Sequence, residues 1–256
     1  MTDARQQAED HRRRVIGARL LRLDDAPGRV AAVIPTGFAA LDQALGTGGI
    51  PRSAMSEVFG PPSSGKTTLA LQWVAHMQEH GLVAAWIDAD RTFDPAYATA
   101  LGVAIENLPL ACPESAEQAL DMAGRLASSG AVDAVVIDSA AALAPQLEVD
   151  SAMTGGAGLH SRVLASGLKA LARTVRRCNA AILFVNQTRH RMNPSEGEAV
   201  TSAGGPSLKM YAALRLVLEP VGERTVRFRT LKNKAAAAFR DGKLRRGDAL
   251  GFAKTP

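Results

Sequence analysis

An eight-residue run constrains this chain more than any other feature. Gly60-Pro61-Pro62-Ser63-Ser64-Gly65-Lys66-Thr67 fits the pattern G-x-x-x-x-G-K-[ST]. The run needs a particular setting to work, a strand before it and a helix after it, and the flanking sequence supplies both. Ala54–Phe59 reads as a strand, and a helical pattern starts at Lys66 and reaches about His80, where Gly81 can stop it. The glycines let the backbone wrap so that N–H groups face phosphate oxygens, and the helix N-terminus adds its positive end. Lys66 is then placed for the β- and γ-phosphates, Thr67 for Mg²⁺, and Thr68 follows on the same turn. Residues 60–68 are therefore read as a nucleoside-triphosphate site.

The surrounding pattern predicts the sheet that such a loop requires. Leu82–Ile87, Asp133–Ile137 and Ala180–Val185 are short apolar runs expected as strands. Between them lie helical stretches: a short one opened by Pro95, one from a Ser115/Gln118 capping box to about Ser128, and a long one over Leu159–Cys178. Strands that are apolar throughout, alternating with helices, indicate a mostly parallel, twisted sheet covered by helices on both faces, an α/β class. Upstream, Thr36 is expected to N-cap a helix that ends at Leu45 before Gly46. Downstream, Ala212–Glu219 and Thr225–Leu231, joined by Pro220-Val221-Gly222-Glu223, are expected as an antiparallel hairpin at the sheet edge. The stretches 148–158 and 188–205 fit neither period and read as long polar loops.

With 256 residues, 46% hydrophobic and 21% charged, the chain is expected to form one large domain with small appendages. The expected division is an N-terminal helix and arm over 1–30, a core over 31–241 and a basic tail over 242–256. The leader holds seven Arg and too few apolar side chains for a core of its own, so it is expected to dock on a neighbouring subunit. Residues 221–256 carry ten Lys/Arg against three Asp/Glu, whereas 1–220 carry 20 against 22. A basic end on a near-neutral body fits a polyanion partner, a charged subunit contact or a solvated tail. Cys112 and Cys178 form no metal or disulfide framework and are expected as buried thiols. No apolar run approaches a membrane span and no secretory signal is visible, which points to a soluble, cytoplasmic protein without membrane contact.

Two further pieces belong with the loop. Ala134–Ile137 runs into Asp138, and a carboxylate at the C-terminal end of such a strand is placed to complete a Mg²⁺ shell. Trp86-Ile87-Asp88-Ala89-Asp90 brings a second strand to the same edge, where either Asp88 or Asp90 could orient an attacking water or merely cap a helix.

Taken together, these runs resemble the bacterial RecA recombinase family over about Thr36 to Phe239. The matching runs include Thr36-Gly37, Leu41–Gly46, Gly60–Thr68, Ile87-Asp88-Ala89, Asp94–Ala98, Glu117–Leu120, Ser129–Asp133, Asp138-Ser139, Asn186-Gln187, Gly204-Gly205 and Lys232-Asn233-Lys234. The resemblance implies a RecA-type P-loop core that uses ATP and Mg²⁺. It implies that Asp90 stands where the family has its hydrolytic glutamate, that Asp94 and Tyr97 hold the adenine, and that Gln187 senses the γ-phosphate. It implies that Lys232 and Lys234 reach a neighbour's ATP across a filament interface. The two long loops then match the DNA-binding loops, with Arg162, Arg189, Arg191, Gly204 and Gly205 in or beside them. Arginines there suit phosphate contacts to single-stranded DNA, which carry affinity without sequence preference. The partners implied are single-stranded DNA, homologous duplex DNA, further copies of the chain in a filament, and repair proteins.

Five departures bear on activity. Asp90 is one methylene shorter than a glutamate. Glu196 occupies about the place of an aromatic in the second loop, Pro206 follows Gly204-Gly205 in place of a polar residue, and Pro62 replaces an acid in the phosphate loop. Read to Pro256, the sequence is also expected to lack the family's C-terminal domain and acidic tail. Three functions compete on this basis. The first is a DNA-dependent recombinase ATPase. The second is a regulatory relative that binds ATP and a repair partner, such as a translesion polymerase, without strand exchange. The third is a P-loop ATPase with no DNA role.

Overall fold

The computed structural model describes residues 6, 7, 10, 11, 32–147, 157–190, 200–248 and 250–253. The chain divides into two units, Met1–Val30 and Ala31–Pro256. In the first, residues 6, 7, 10 and 11 are helical, inside the helix expected there.

The second unit runs β1 (Val33–Ile34), α1 (Ala39–Leu45), β2 (Ile50–Pro51), β3 (Ala54–Gly60), α2 (Lys66–Glu79), β4 (Ala84–Asp88), α3 (Pro95–Ala100), β5 (Leu110–Ala111), α4 (Ala116–Ser129) and β6 (Ala134–Asp138). It continues with α5 (Ala157–Val175), β7 (Ala181–His190), β8 (Val200–Ser202), α6 (Pro206–Tyr211), β9 (Leu214–Pro220), β10 (Thr225–Asn233) and β11 (Asp241–Arg245). The main sheet has the order β11-β10-β9-β3-β7-β6-β4-β5. From β9 to β5 every neighbouring pair is parallel, and β10 and β11 are added antiparallel. This is the α/β architecture expected, with the antiparallel addition at the C-terminal edge.

The apolar strands bury both faces because alternate residues serve different layers. Trp86, Val136, Leu183 and Val185 pack under α2 with Leu71 and Trp73. Ile87, Val135, Ile137, Ile182 and Phe184 pack under α4 and α5 with Leu120, Leu168 and Leu171. The helix ends follow local chemistry. Ser115 Oγ accepts from Gln118 N at 3.3 Å, and Gln118 Oε1 returns to Glu114 N at 2.6 Å, one residue earlier than a standard capping box. Gly46 ends α1 in the left-handed region with φ 70°.

Several boundaries differ from expectation. α1 begins at Ala39 with Phe38 as N-cap, because Gly37 (φ 82°) turns the chain after Thr36. Thr36 Oγ1 instead accepts from Phe38 N at 3.2 Å, and the Asp42 carboxylate accepts from Thr36 N at 2.9 and 3.1 Å. β7 runs past Val185 to His190, and β8 pairs with it antiparallel, so within the stretch 188–205 the residues 188–190 and 200–202 are paired strand rather than loop. Part of 242–256, expected as a tail, belongs to the core unit. β11 pairs with Thr225–Arg229, and Leu244 and Phe252 are buried. Lone apolar residues among basic ones hid this strand. Gly242 allows it to form, since a Cβ there would sit 2.4 Å from the Phe228 ring. Cys112 is exposed, not buried, and Cys178 is half-buried with its thiol on Thr174 O. Among the described residues no helix is long and apolar enough to cross a membrane.

Candidate nucleotide site and nucleic-acid loops

The phosphate loop leaves β3 at the C-terminal ends of the parallel strands, where ligands of such sheets bind. Its first residue is tightly packed: a Cβ on Gly60 would lie 2.3 Å from Leu218 O and 2.6 Å from Ser64 Oγ. Gly65 has φ 90°, and a Cβ there would strike the Phe252 ring at 2.5 Å. Lys66 is buried, and its Nζ donates to Pro61 O at 2.8 Å and lies 3.5 Å from Ser64 Oγ. Burial pushes its ammonium below the ordinary lysine range, and the charge of Asp138 opposes that shift.

α2 and β6 bring together the pair expected for Mg²⁺. Thr67 Oγ1 donates to Asp138 Oδ2 at 2.8 Å. The Asp138 carboxyl is raised to about 6, first by burial and then by the charges of Asp90 and Asp88; the Thr67 bond and Lys66 act against the rise. A hydroxyl and a carboxylate crowded by further acids are hard oxygen donors that suit Mg²⁺. The β4/β6 register sets Asp88 directly beside Asp138. Asp88 and Asp90 nevertheless differ. Asp88 is buried, and its oxygens accept from Thr92 N at 3.1 Å and Phe93 N at 3.0 Å, so it holds the turn. Asp90 is half-buried, accepting from Thr92 Oγ1 at 2.7 Å and from Ser139 Oγ at 3.3 Å.

Beside the loop lies a cleft of about 360 Å³ lined by Ser63, Thr68, Tyr97, Arg246 and Phe252 among others. The Tyr97 hydroxyl is 2.7 Å from Thr68 Oγ1. Asp94 caps α3, accepting from Ala96 N and Tyr97 N at 2.9 and 3.0 Å. Sequence reasoning missed Arg246 and Phe252. Arg246 Nη2 donates to Ser63 O at 2.7 Å, and the Phe252 backbone exchanges two hydrogen bonds with the Gln72 side chain. The signal available was the Arg245-Arg246 pair in the basic end. A larger groove of about 540 Å³ lies between α4 and α5, bordered by none of the predicted site residues.

Gln187 stands opposite Gly60 in the β3/β7 register, which places it at the foot of the phosphate loop. Its backbone joins it to a buried polar chain. Gln187 N donates to Asn186 Oδ1 at 2.8 Å, Asn186 Nδ2 donates to Glu57 Oε1 at 2.8 Å, and Arg215 Nε donates to Glu57 Oε2 at 2.6 Å. Arg215 continues to Ser202 Oγ at 3.1 Å, and Ala203 N donates to Gln187 O at 2.9 Å, which ties the foot of the loop to β8. Gly204 (φ 81°) and Gly205 (φ 75°) follow. Arg189 on β7 and Arg162 on α5 are exposed; Arg191, Glu196 and most of the 148–158 loop lie outside the described residues.

Lys232 and Lys234 flank the end of β10, which β11 leaves paired to β9 alone at this end. They differ in engagement. Lys232 Nζ donates to Lys209 O at 2.6 Å and Met210 O at 2.9 Å, capping α6 in its own chain. Burial and then the charges of Lys234 and Arg215 push its ammonium down. Lys234 is exposed, and its backbone N donates to Ala213 O at 2.9 Å.

A glycine-rich loop at the C-terminal end of a central parallel strand, with a hydroxyl–carboxylate pair beside it and a cleft along its flank, defines the P-loop class of α/β proteins. Within that class the relatives are specific. The RecA N-terminal domain profile matches residues 8–246. Protein RecA of Thermus thermophilus is 42% identical over 236 residues, covering 88% of this chain and 69% of its own. Protein RecA of Rubrobacter xylanophilus is 43% identical over 233 residues, 87% and 67% of the two chains, and that of Bifidobacterium longum 43% over 231, 86% and 58%. The chain belongs to the RecA family.

Proposed function

We propose that this chain is a RecA-type recombinase of DNA repair, working in the cytoplasm. It binds ATP and Mg²⁺, assembles with other copies of itself on single-stranded DNA, and pairs that strand with a homologous duplex. The observation that carries this reading is the Thr67–Asp138 bond of 2.8 Å beside an intact phosphate loop, in a chain of the RecA family. In this reading the backbone of 60–65 and Lys66 hold the phosphates, exchanging the Lys66–Pro61 bond for oxygens of the ligand. Thr67 and Asp138 hold the ion, which supplies charge neutralisation at the β- and γ-phosphates. Tyr97, which lines the cleft, and Asp94, which caps the helix carrying it, hold the base, and Asp90 orients the attacking water. Gln187 reports the γ-phosphate to β8 through the bonds that join them, so that nucleotide state sets the posture of the paired strands 188–190 and 200–202. Exposed Arg162 and Arg189, with Arg191, contact DNA phosphates. Lys232 and Lys234 serve the neighbour's nucleotide, and the unit 1–30 docks on an adjacent subunit.

The test is ATP hydrolysis with and without single-stranded DNA, alongside electron microscopy of the same samples. Hydrolysis stimulated by DNA together with filaments supports the proposal; ATP binding with neither outcome refutes it. The regulatory reading keeps a specific observation in its favour. Asp90, the shorter acid, is already engaged by Thr92 and Ser139. Tight ATP binding and DNA-dependent assembly without turnover or strand exchange would select that reading.

A further inference from the structure

The end of α2 remote from the phosphate loop carries a cluster that the proposed reaction does not use. His76, Glu79 and His80 stand at i, i+3 and i+4, the spacing that stacks side chains on one face of a helix. One ligand atom from each lies within 4.8 Å of the other two. His76 Nδ1 is 3.5 Å from Glu79 Oε2, and the two imidazole centroids are 4.3 Å apart.

Two independent features prepare this face for a cation. His80 Nδ1 lies 2.8 Å from the carbonyl oxygen of His76, an atom that can only accept. Nδ1 therefore carries the proton, and Nε2 carries the lone pair. A ring nitrogen tied to a backbone carbonyl, with its partner left basic, is the usual arrangement of a metal-bound histidine. The cluster also ends a helix of 14 residues, with His80 as its C-cap. The partial negative charge of the last carbonyls favours a cation at this end.

We propose that His76, Glu79 and His80 form a divalent transition-metal site, with zinc(II) the ion that fits best. Two imidazoles and one carboxylate are a borderline donor set, which suits zinc and its neighbours, whereas Mg²⁺ and Ca²⁺ take oxygen ligands. Water completes a four-coordinate shell around three protein ligands. This keeps the site chemically separate from Thr67 and Asp138. The His-Met-Gln-Glu-His order is also the H-x-x-E-H spacing of one class of zinc hydrolases. Here Glu79 is half exposed, on the outer turn of a helix, so the ion braces the chain. Its reach is set by His76, whose ring packs so closely on Gly37 that an added Cβ would stand 2.8 Å from Cγ. That turn is held to α1 by Asp42, whose carboxylate accepts from Thr36 N. An ion that fixes His76 ties the C-terminal end of the phosphate-loop helix to the turn before α1.

The test uses the full chain with Cys112→Ser, so that the exposed thiol takes no part, in excess Mg²⁺. Zinc(II) is titrated by calorimetry, and cobalt(II) by its visible absorption. The expected result is one equivalent bound, a cobalt spectrum free of thiolate charge transfer, and a rise in the melting temperature on adding zinc. His80→Gln alters only an exposed ligand and is expected to weaken zinc binding about tenfold or more. His76→Ala with His80→Gln is expected to abolish binding and the thermal shift, while ATP binding is retained. Zinc bound with unchanged affinity by both variants, or no zinc bound by the parent, overturns the proposal. Because ATP binding is read in parallel, failure here leaves the nucleotide reading standing.

Discussion

Replacing Asp138 with asparagine isolates the cost of keeping a carboxylate at the end of β6. The side chain is 6% exposed, and its carboxyl is raised from 3.8 to about 6, chiefly by burial and then by Asp90 and Asp88. Folding thus favours the protonated form relative to the unfolded chain, and above about pH 6 the carboxylate is carried at a cost. Between about pH 4 and pH 6 the folded chain holds a proton here that the unfolded chain has released, so stability falls as pH rises through that window. Above about pH 6 the cost is complete, and two pH units at 1.36 kcal/mol each make it about 3 kcal/mol. Asparagine keeps the shape, removes the charge and can still accept the Thr67 hydroxyl bond through Oδ1.

Asp138→Asn is therefore expected to stabilise the ligand-free protein by up to about 3 kcal/mol at about pH 7.5, with the gain shrinking towards zero near pH 4. Urea unfolding of both proteins across that pH range measures the difference, and groups common to both cancel. A second arm adds Mg²⁺ and ATP, which should raise the parent's midpoint and leave the variant's almost unmoved. A variant less stable than the parent near neutrality, or a difference that does not change with pH, would refute the argument. The carboxylate would then be adequately compensated by Thr67 and Lys66 in the absence of ligand.

Four further outcomes are expected. Asp90→Asn should abolish hydrolysis while ATP binding persists, and Asp90→Glu should keep or raise the rate; a tenfold fall for the glutamate would show a site shaped around the shorter acid. Arg215→Met should cost about 3–5 kcal/mol in urea unfolding, because it leaves the buried Glu57 charge without its partner, and adding Glu57→Gln should recover much of that loss. Mixing Lys66→Ala with Lys234→Ala should restore up to about a quarter of DNA-stimulated hydrolysis if Lys234 acts on the neighbour's site, and co-assembly without recovery would sink that role. Lys232→Ala should in addition lower the melting temperature, since its amine holds α6.

What could be read from the sequence divides along physical lines. The central strands were legible because burial on both faces demands unbroken apolar runs, and Val135, Val136 and Ile137 leave little choice. The phosphate loop was legible because its backbone geometry demands particular glycines, and Asp138 because a strand end fixes where its carboxylate goes. Legibility failed where a segment owes its order to partners distant in the chain. β11 offers one buried residue, Leu244, and forms because Gly242 clears the Phe228 ring and Phe252 is held by Gln72. Glu57, an acid inside a strand, reads from sequence as an edge or an error. It is buried because Arg215 and Asn186, 158 and 129 residues away, converge on it. The two failures meet at the site. Arg246, the residue after β11, reaches Ser63, and the Glu57 chain reaches Gln187 beneath Gly60. The motif names the loop; the long-range contacts that grip it from above and below belong to the fold. In a chain whose nucleotide site is proposed to instruct β8, such contacts are where relatives with the same motif can come to behave differently.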